Sequence, residues 1–119
     1  MRTYLLFLLL PFCMACQHDA EEIVEPIVVC DTTNVTYTLG VLPIVQTRCA
    51  ITTCHVPGGN GTGDFTTYAG LRTQALNGNL VPAVQRTPGA IPMPPDGSII
   101  PECDVRTIVA WVNAGALEN

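Results

Sequence analysis

Two thiols and an imidazole fall within seven residues of this chain, Cys49-Ala50-Ile51-Thr52-Thr53-Cys54-His55. The spacing constrains the backbone before anything else does. On an ideal α-helix, residues three apart point about 60° apart around the axis, whereas residues five apart point about 140° apart. Cys49 and Cys54 therefore cannot address one partner from an unbroken helix. For both sulfurs to reach one bound group, the segment has to bulge out locally. It must do so in a small folded part, from about Val28 to Leu117, a size at which a domain is marginal without a staple, a metal or a cofactor.

The residues before that part read as targeting and spacing. Arg2 supplies a positive charge, Tyr4 to Phe12 is an apolar run, and Ala15 precedes Cys16. This run is too short for a bilayer span, which needs about 20 apolar residues, and it reads as a secretory leader over residues 1–15. Its end, Cys13-Met14-Ala15-Cys16, resembles a bacterial lipobox, which makes Cys16 the lipidated first residue of the mature chain. Plain secretion is the alternative. Residues 16–27 then form an acidic tether, with His18 exposed in it, and residues 28–119 form the domain. The place predicted is a bacterial cell envelope, periplasm-facing or on the outer membrane.

Charge narrows the classes of partner. The chain has five Arg, no Lys and ten Asp and Glu, a formal charge of −5. Without the leader, four Arg stand against ten acids, about −6. A nucleic-acid binder needs a basic face to displace counterions, so that class is excluded. Anionic lipid is no better a target, and membrane contact is expected only through the N-terminal lipid. A redox or other protein partner with a basic docking face fits the sign.

The hydrophobic pattern predicts an all-α domain of three to four short helices and long loops. Leu39, Leu42, Val45 and Cys49 mark one amphipathic helix over Leu39 to Arg48, with Pro43 in its first turn. Thr66 to Leu76 marks a second, capped by Thr66 or Thr67, with Tyr68, Leu71, Ala75 and Leu76 inward and Asn77-Gly78 as its stop. Leu80 to Gln85 is short and ambiguous. The last helix starts at Pro101, carries Glu102 and Asp104 near its positive end, and closes at Gly115. Its stripe is Val105, Ile108, Val109 and Val112, with Trp111 beside it. Val56 to Asp64 is glycine-rich and Thr87 to Gly97 holds four of the ten prolines, so neither is a regular element. Long structured loops in so small a domain are expected to wrap around something.

Two cysteines followed at once by His form the pattern of c-type haem attachment, with four residues between the cysteines here instead of the usual two. The residue types follow from the chemistry. Each thiol adds across a haem vinyl group, and the adjacent imidazole takes the proximal iron site. Met93 is the only thioether outside the leader, and Pro92, Pro94 and Pro95 would stiffen the loop that presents it as a sixth ligand.

Together these pieces resemble a known family. PIVQTRCAITTCH, FTTYAGLR, MPPDG and IVAWVNAGALEN, in that order over about residues 35–119, look like class I cytochrome c. The likeness is specifically to the small lipid-anchored cytochrome c-like domains of Bacteroidetes, in which the attachment motif often has a longer spacer. The resemblance implies one covalently bound haem c, with Cys49 and Cys54 as its thioether positions, His55 proximal and Met93 distal. It implies an electron carrier with a redox partner protein, not an enzyme.

Other readings of the same residues remain. Cys49 and Cys54 could close a disulfide, leaving a stapled surface lipoprotein that binds without a cofactor. A haem enzyme or sensor would leave Met93 off the iron. Cys30 and Cys103 are the remaining pair, predicted to be bridged in an oxidising compartment, with a metal held by all four cysteines as the competitor. Arg48 and Arg86 read as solvated charges, with haem propionates as alternative partners, and Trp111 as a core residue near the haem. No Ser/His/Asp set is present, and Gly58 to Gly63 lacks the GK[ST] of a phosphate loop.

Overall fold

A computed structural model describes residues 29–119; the leader, Cys16, His18 and the tether as far as residue 28 lie outside the described residues. The described residues are all-α, with 42% helix and no strand. None of their helices is long and apolar enough to cross a membrane.

The first helix opens with a wide turn. Thr36 is extended and its hydroxyl accepts from Leu39 N–H, the usual work of an N-cap. Across Tyr37–Val41 the bonds then skip five residues: Val41 N–H donates to Thr36 C=O and Leu42 N–H to Tyr37 C=O. Helix α1, Leu42–Arg48, follows without a break. Pro43, which has no N–H to give, sits where the bonding changes from the wide to the ordinary ladder. The additional residue per turn rotates the helix, so Tyr37, Val41 and Val45 face inward and Leu39 is 83% exposed. The expectation that Leu39 belongs to the buried face is thereby corrected.

Helix α2 spans Tyr68–Leu76, with the Thr67 hydroxyl accepting from Gly70 N–H at 3.2 Å. It stops at Asn77, and Gly78 takes the left-handed conformation, φ +80°, that a helix end favours. Leu71 and Ala75 are buried, but Leu76 is exposed, because it lies a further 100° or so around the axis from Ala75. Helix α3 is the five-residue Leu80–Val84. Helix α4, Glu102–Asn113, follows Pro101 and carries Glu102 and Asp104 in its first turn. Ile108 and Trp111 are its buried residues, with Val105 and Val112 half-buried beside them. Trp111 is thus the centre of the inner stripe, not its neighbour, because its ring is the largest group available to fill the space.

That ring organises the core. Tyr37 lies 5.1 Å from Tyr68 and 5.8 Å from Trp111, centroid to centroid, and Tyr68 meets Trp111 edge-on at 6.5 Å. The polar ends of these rings are satisfied by the chain terminus: Trp111 Nε1–H donates to Leu117 C=O and the Tyr68 hydroxyl to Ala116 C=O, both at 2.8 Å. Asn119 in turn accepts from the otherwise orphaned N–H groups of Tyr37 and Thr38.

Cys30 and Cys103 form a disulfide, Cα–Cα 5.3 Å, closing 73 residues between the N-terminal arm and the first turn of α4. Arg48 Nε lies 3.8 Å from the Asp104 carboxylate, so the end of α1 meets the same turn. On chain entropy, Cys30→Ser is expected to lower unfolding free energy by up to about 4 kcal/mol. Urea denaturation measures it, and a loss under about 1 kcal/mol would mean that the arm is held by other contacts.

Candidate functional site

A bulge of the kind that would bring both cysteines to one side is formed by the backbone itself. Cys49 ends α1, and both its N–H and that of Ala50 donate to Val45 C=O, at 2.9 and 2.8 Å, which widens the last turn. The chain leaves through Ile51 and Thr52, reverses at Thr53 with φ +70°, and returns so that His55 N–H donates to Cys49 C=O at 3.1 Å. The four spacer residues are thereby looped out, and Cys54-His55 is brought back beside Cys49. Neither thiol is bridged. Burial, with the Cys54 thiol close by, pushes the Cys49 thiol up to about 11, against the opposing pull of Arg48.

The glycine-rich segment clamps this loop. Asn60 N–H donates to Thr53 C=O, Gly61 N–H to Cys54 C=O, and Phe65 N–H to His55 C=O. A Cβ on Gly59 would overlap the Cys54 carbonyl, and one on Gly61 would stand 2.7–2.9 Å from three atoms of the His55 ring. The absence of side chains is therefore what lets the strand of loop approach so closely. Sequence reasoning identified this stretch only as irregular. Two glycines just after a Cys-His pair were the available signal for such close packing.

His55 is 8% exposed, and its Nδ1 lies 3.0 Å from the Thr62 carbonyl oxygen. A carbonyl only accepts, so Nδ1 carries a proton, and in the neutral ring the lone pair then lies on Nε2. The ring stacks on Phe65 at 4.1 Å with an interplanar angle of 2°. An imidazole held at one nitrogen and along one face, with the other nitrogen available, is the arrangement of a metal-ligating His with its outer support. Thr62 and Phe65 were not singled out by the sequence.

Met93 comes from the proline-rich loop. Its N–H donates to Ala83 C=O at 3.0 Å, which ties it to the end of α3, and the residue is half-buried. Cys49, Cys54, His55 and Met93 all face one cavity of about 990 Å³, with Leu80, Val84 and Ile100 in its walls. That volume is at the upper end of the ~300–1,000 Å³ usual for ligand pockets. Arg48 borders the cavity and pairs with Asp104. Arg86 does not face it, and donates to backbone carbonyls instead. Trp111 lies in the aromatic core and not in the cavity wall.

Among the described residues no three His, Cys, Asp or Glu side chains are grouped to hold a metal ion by themselves. The side chains singled out as donors, all at the cavity, are one imidazole, one thioether and two thiols. Comparison with protein-family models, curated proteins and solved structures yields no match.

Gly61→Ala is expected to displace the imidazole and cost about 1–3 kcal/mol. The test is chemical denaturation together with the NMR shifts of the His55 ring. A ring environment unchanged from the parent would show that the close approach is not needed.

Proposed function

We propose that the chain is an electron carrier with one covalently attached haem c, thioether-linked through Cys49 and Cys54, with His55 as proximal and Met93 as distal iron ligand. The observation that carries this reading is the convergence of those four residues, from the end of α1, the loop after it and the proline-rich loop, on a single cavity. Bound there, the haem would supply a reversible one-electron couple of its iron. The chain's own residues do the remaining work. The Thr62 carbonyl fixes the His55 tautomer and leaves Nε2 for the metal. Phe65 holds the ring plane. The prolines around Met93, and its bond to Ala83, limit how far the sulfur moves when the charge beside it changes. Leu80, Val84 and Ile100 exclude water from the wall, and a dry surrounding influences the potential of the couple.

Cys16 carries the lipid in this reading, the tether spaces the domain from the membrane, and a redox protein is the partner. The acid excess steers a basic docking face toward the chain.

The deciding experiment is a denaturing gel stained for haem peroxidase activity, on protein matured in a host that assembles c-type cytochromes. The expected result is a stained band that a Cys49→Ala/Cys54→Ala variant loses. A colourless band with Cys49 and Cys54 oxidised to a disulfide would replace the carrier with a stapled binding module. Met93→Ala is expected to keep the stain and to bind carbon monoxide readily, which the parent resists. Ready binding by the parent would point to a haem enzyme or sensor instead. The rate of electron transfer to a basic partner is expected to fall as salt is raised from about 10 mM to 0.15 M, over which the Debye length shrinks from about 30 to 8 Å. A flat dependence would remove charge from the docking argument.

A further inference from the structure

We propose that Arg86 is a positioning residue, whose guanidinium ties both ends of the Pro94–Ser98 turn to the end of α3 and so sets where Met93 stands at the cavity. Its Nη1 donates to Ser98 C=O at 3.1 Å and to Pro94 C=O at 3.4 Å. Those carbonyls flank the turn that follows Met93 directly. Pro94 and Pro95 bring no N–H groups of their own, and within the turn the Ser98 N–H and hydroxyl donate to the Asp96 carboxylate at 2.9 and 2.6 Å. Arg86 supplies, from outside the turn, the donor to the Pro94 and Ser98 carbonyls.

The backbone of Arg86 points the same way. Its φ is +55°, a conformation that L side chains avoid and glycine accepts freely. Arg86 N–H donates to Ala83 C=O, the acceptor that Met93 N–H also uses. One carbonyl at the end of α3 thus holds the start of the loop and its functional residue, and the guanidinium reaching from the first holds the segment beyond the second. An arginine kept in a glycine-like conformation is explained by what its side chain does there. The Asp96 carboxyl, in the turn itself, is held below its ordinary value first by the bonds it accepts from Ser98, with Arg86 adding a lesser attraction.

The role of Arg86 toward iron rests on the haem reading above, while its hold on the loop does not. The test compares the full-length matured protein with Arg86→Gly and Arg86→Lys. Glycine relieves the backbone at φ +55° and removes the whole side chain; lysine keeps the charge on a shorter stem without the planar guanidinium whose Nη1 reaches both carbonyls. Two readouts are taken: amide hydrogen exchange at Met93 against that of α4, and imidazole titration of the ferric protein followed by loss of its sulfur-to-iron charge-transfer absorption. For Arg86→Gly the Met93 amide is expected to exchange about tenfold faster with α4 unchanged, and imidazole to displace the thioether at about a tenfold lower concentration, the scale of one charge-assisted bond. Arg86→Lys is expected to fall between. Unchanged Met93 exchange, an equal loss of protection in α4, or faster exchange with unaltered imidazole displacement would each overturn the proposal. A colourless parent protein would overturn the haem reading, and the exchange comparison would then decide by itself whether Arg86 holds the loop.

Discussion

The bond from His55 N–H to the Cys49 carbonyl is the contact from which the site is built. A helix that continued past Cys49 would carry Cys54 about 140° around its axis and His55 about 100° further. Closing the spacer on itself cancels that displacement and leaves the imidazole beside the end of α1. Everything that supports the ring follows from where this closure puts it. The glycine segment can reach both Cys54 and the imidazole only because the loop presents them together, and the Thr62 carbonyl meets Nδ1 only from that segment. Phe65, the last residue of the clamp, then has one place to go, flat against the ring.

How much of this the sequence revealed divides along physical lines. Helix existence was legible where caps and stops are local, as at Thr67, the Asn77-Gly78 end and the acidic first turn of α4, and ambiguous at the five-residue α3, which has no side-chain cap. Facing was less legible, because it depends on the pitch of a turn that no residue type announces. The wide turn at Tyr37–Val41 rotated Leu39 out and Tyr37 in, and the partners that reward this rotation, Tyr68 and Trp111, lie far along the chain. The four candidate residues were singled out by their types and spacing, and the structure brings them to one cavity. The support of the imidazole was not legible, since Thr62 acts through its backbone carbonyl, which its side-chain identity does not announce.

The molecule divides its tasks between two halves of different construction. Around Trp111 the core is conventional, with aromatic rings in contact and their polar atoms bonded to the terminal residues. Around His55 almost nothing is helix. The cavity is bounded by the glycine segment, the short α3 and the proline loop, each held by a few backbone bonds. A loop in this position gains its order from close approach and from stiff residues more than from buried area.

That construction has a consequence for folding. A domain of this size buries a limited apolar surface, and here much of what could be a second core is wall around a cavity. Any group that enters the cavity and joins the proline loop to the glycine segment binds the folded chain and not the unfolded one, and adds its binding free energy to stability by linkage. On the haem reading, attachment through Cys49 and Cys54 would make that contribution permanent. The disulfide at Cys30–Cys103 acts on the other half, where it fixes the N-terminal arm to α4. The two covalent constraints would then fall on opposite sides of the Arg48–Asp104 contact, the place where the end of α1 passes from the aromatic core to the site.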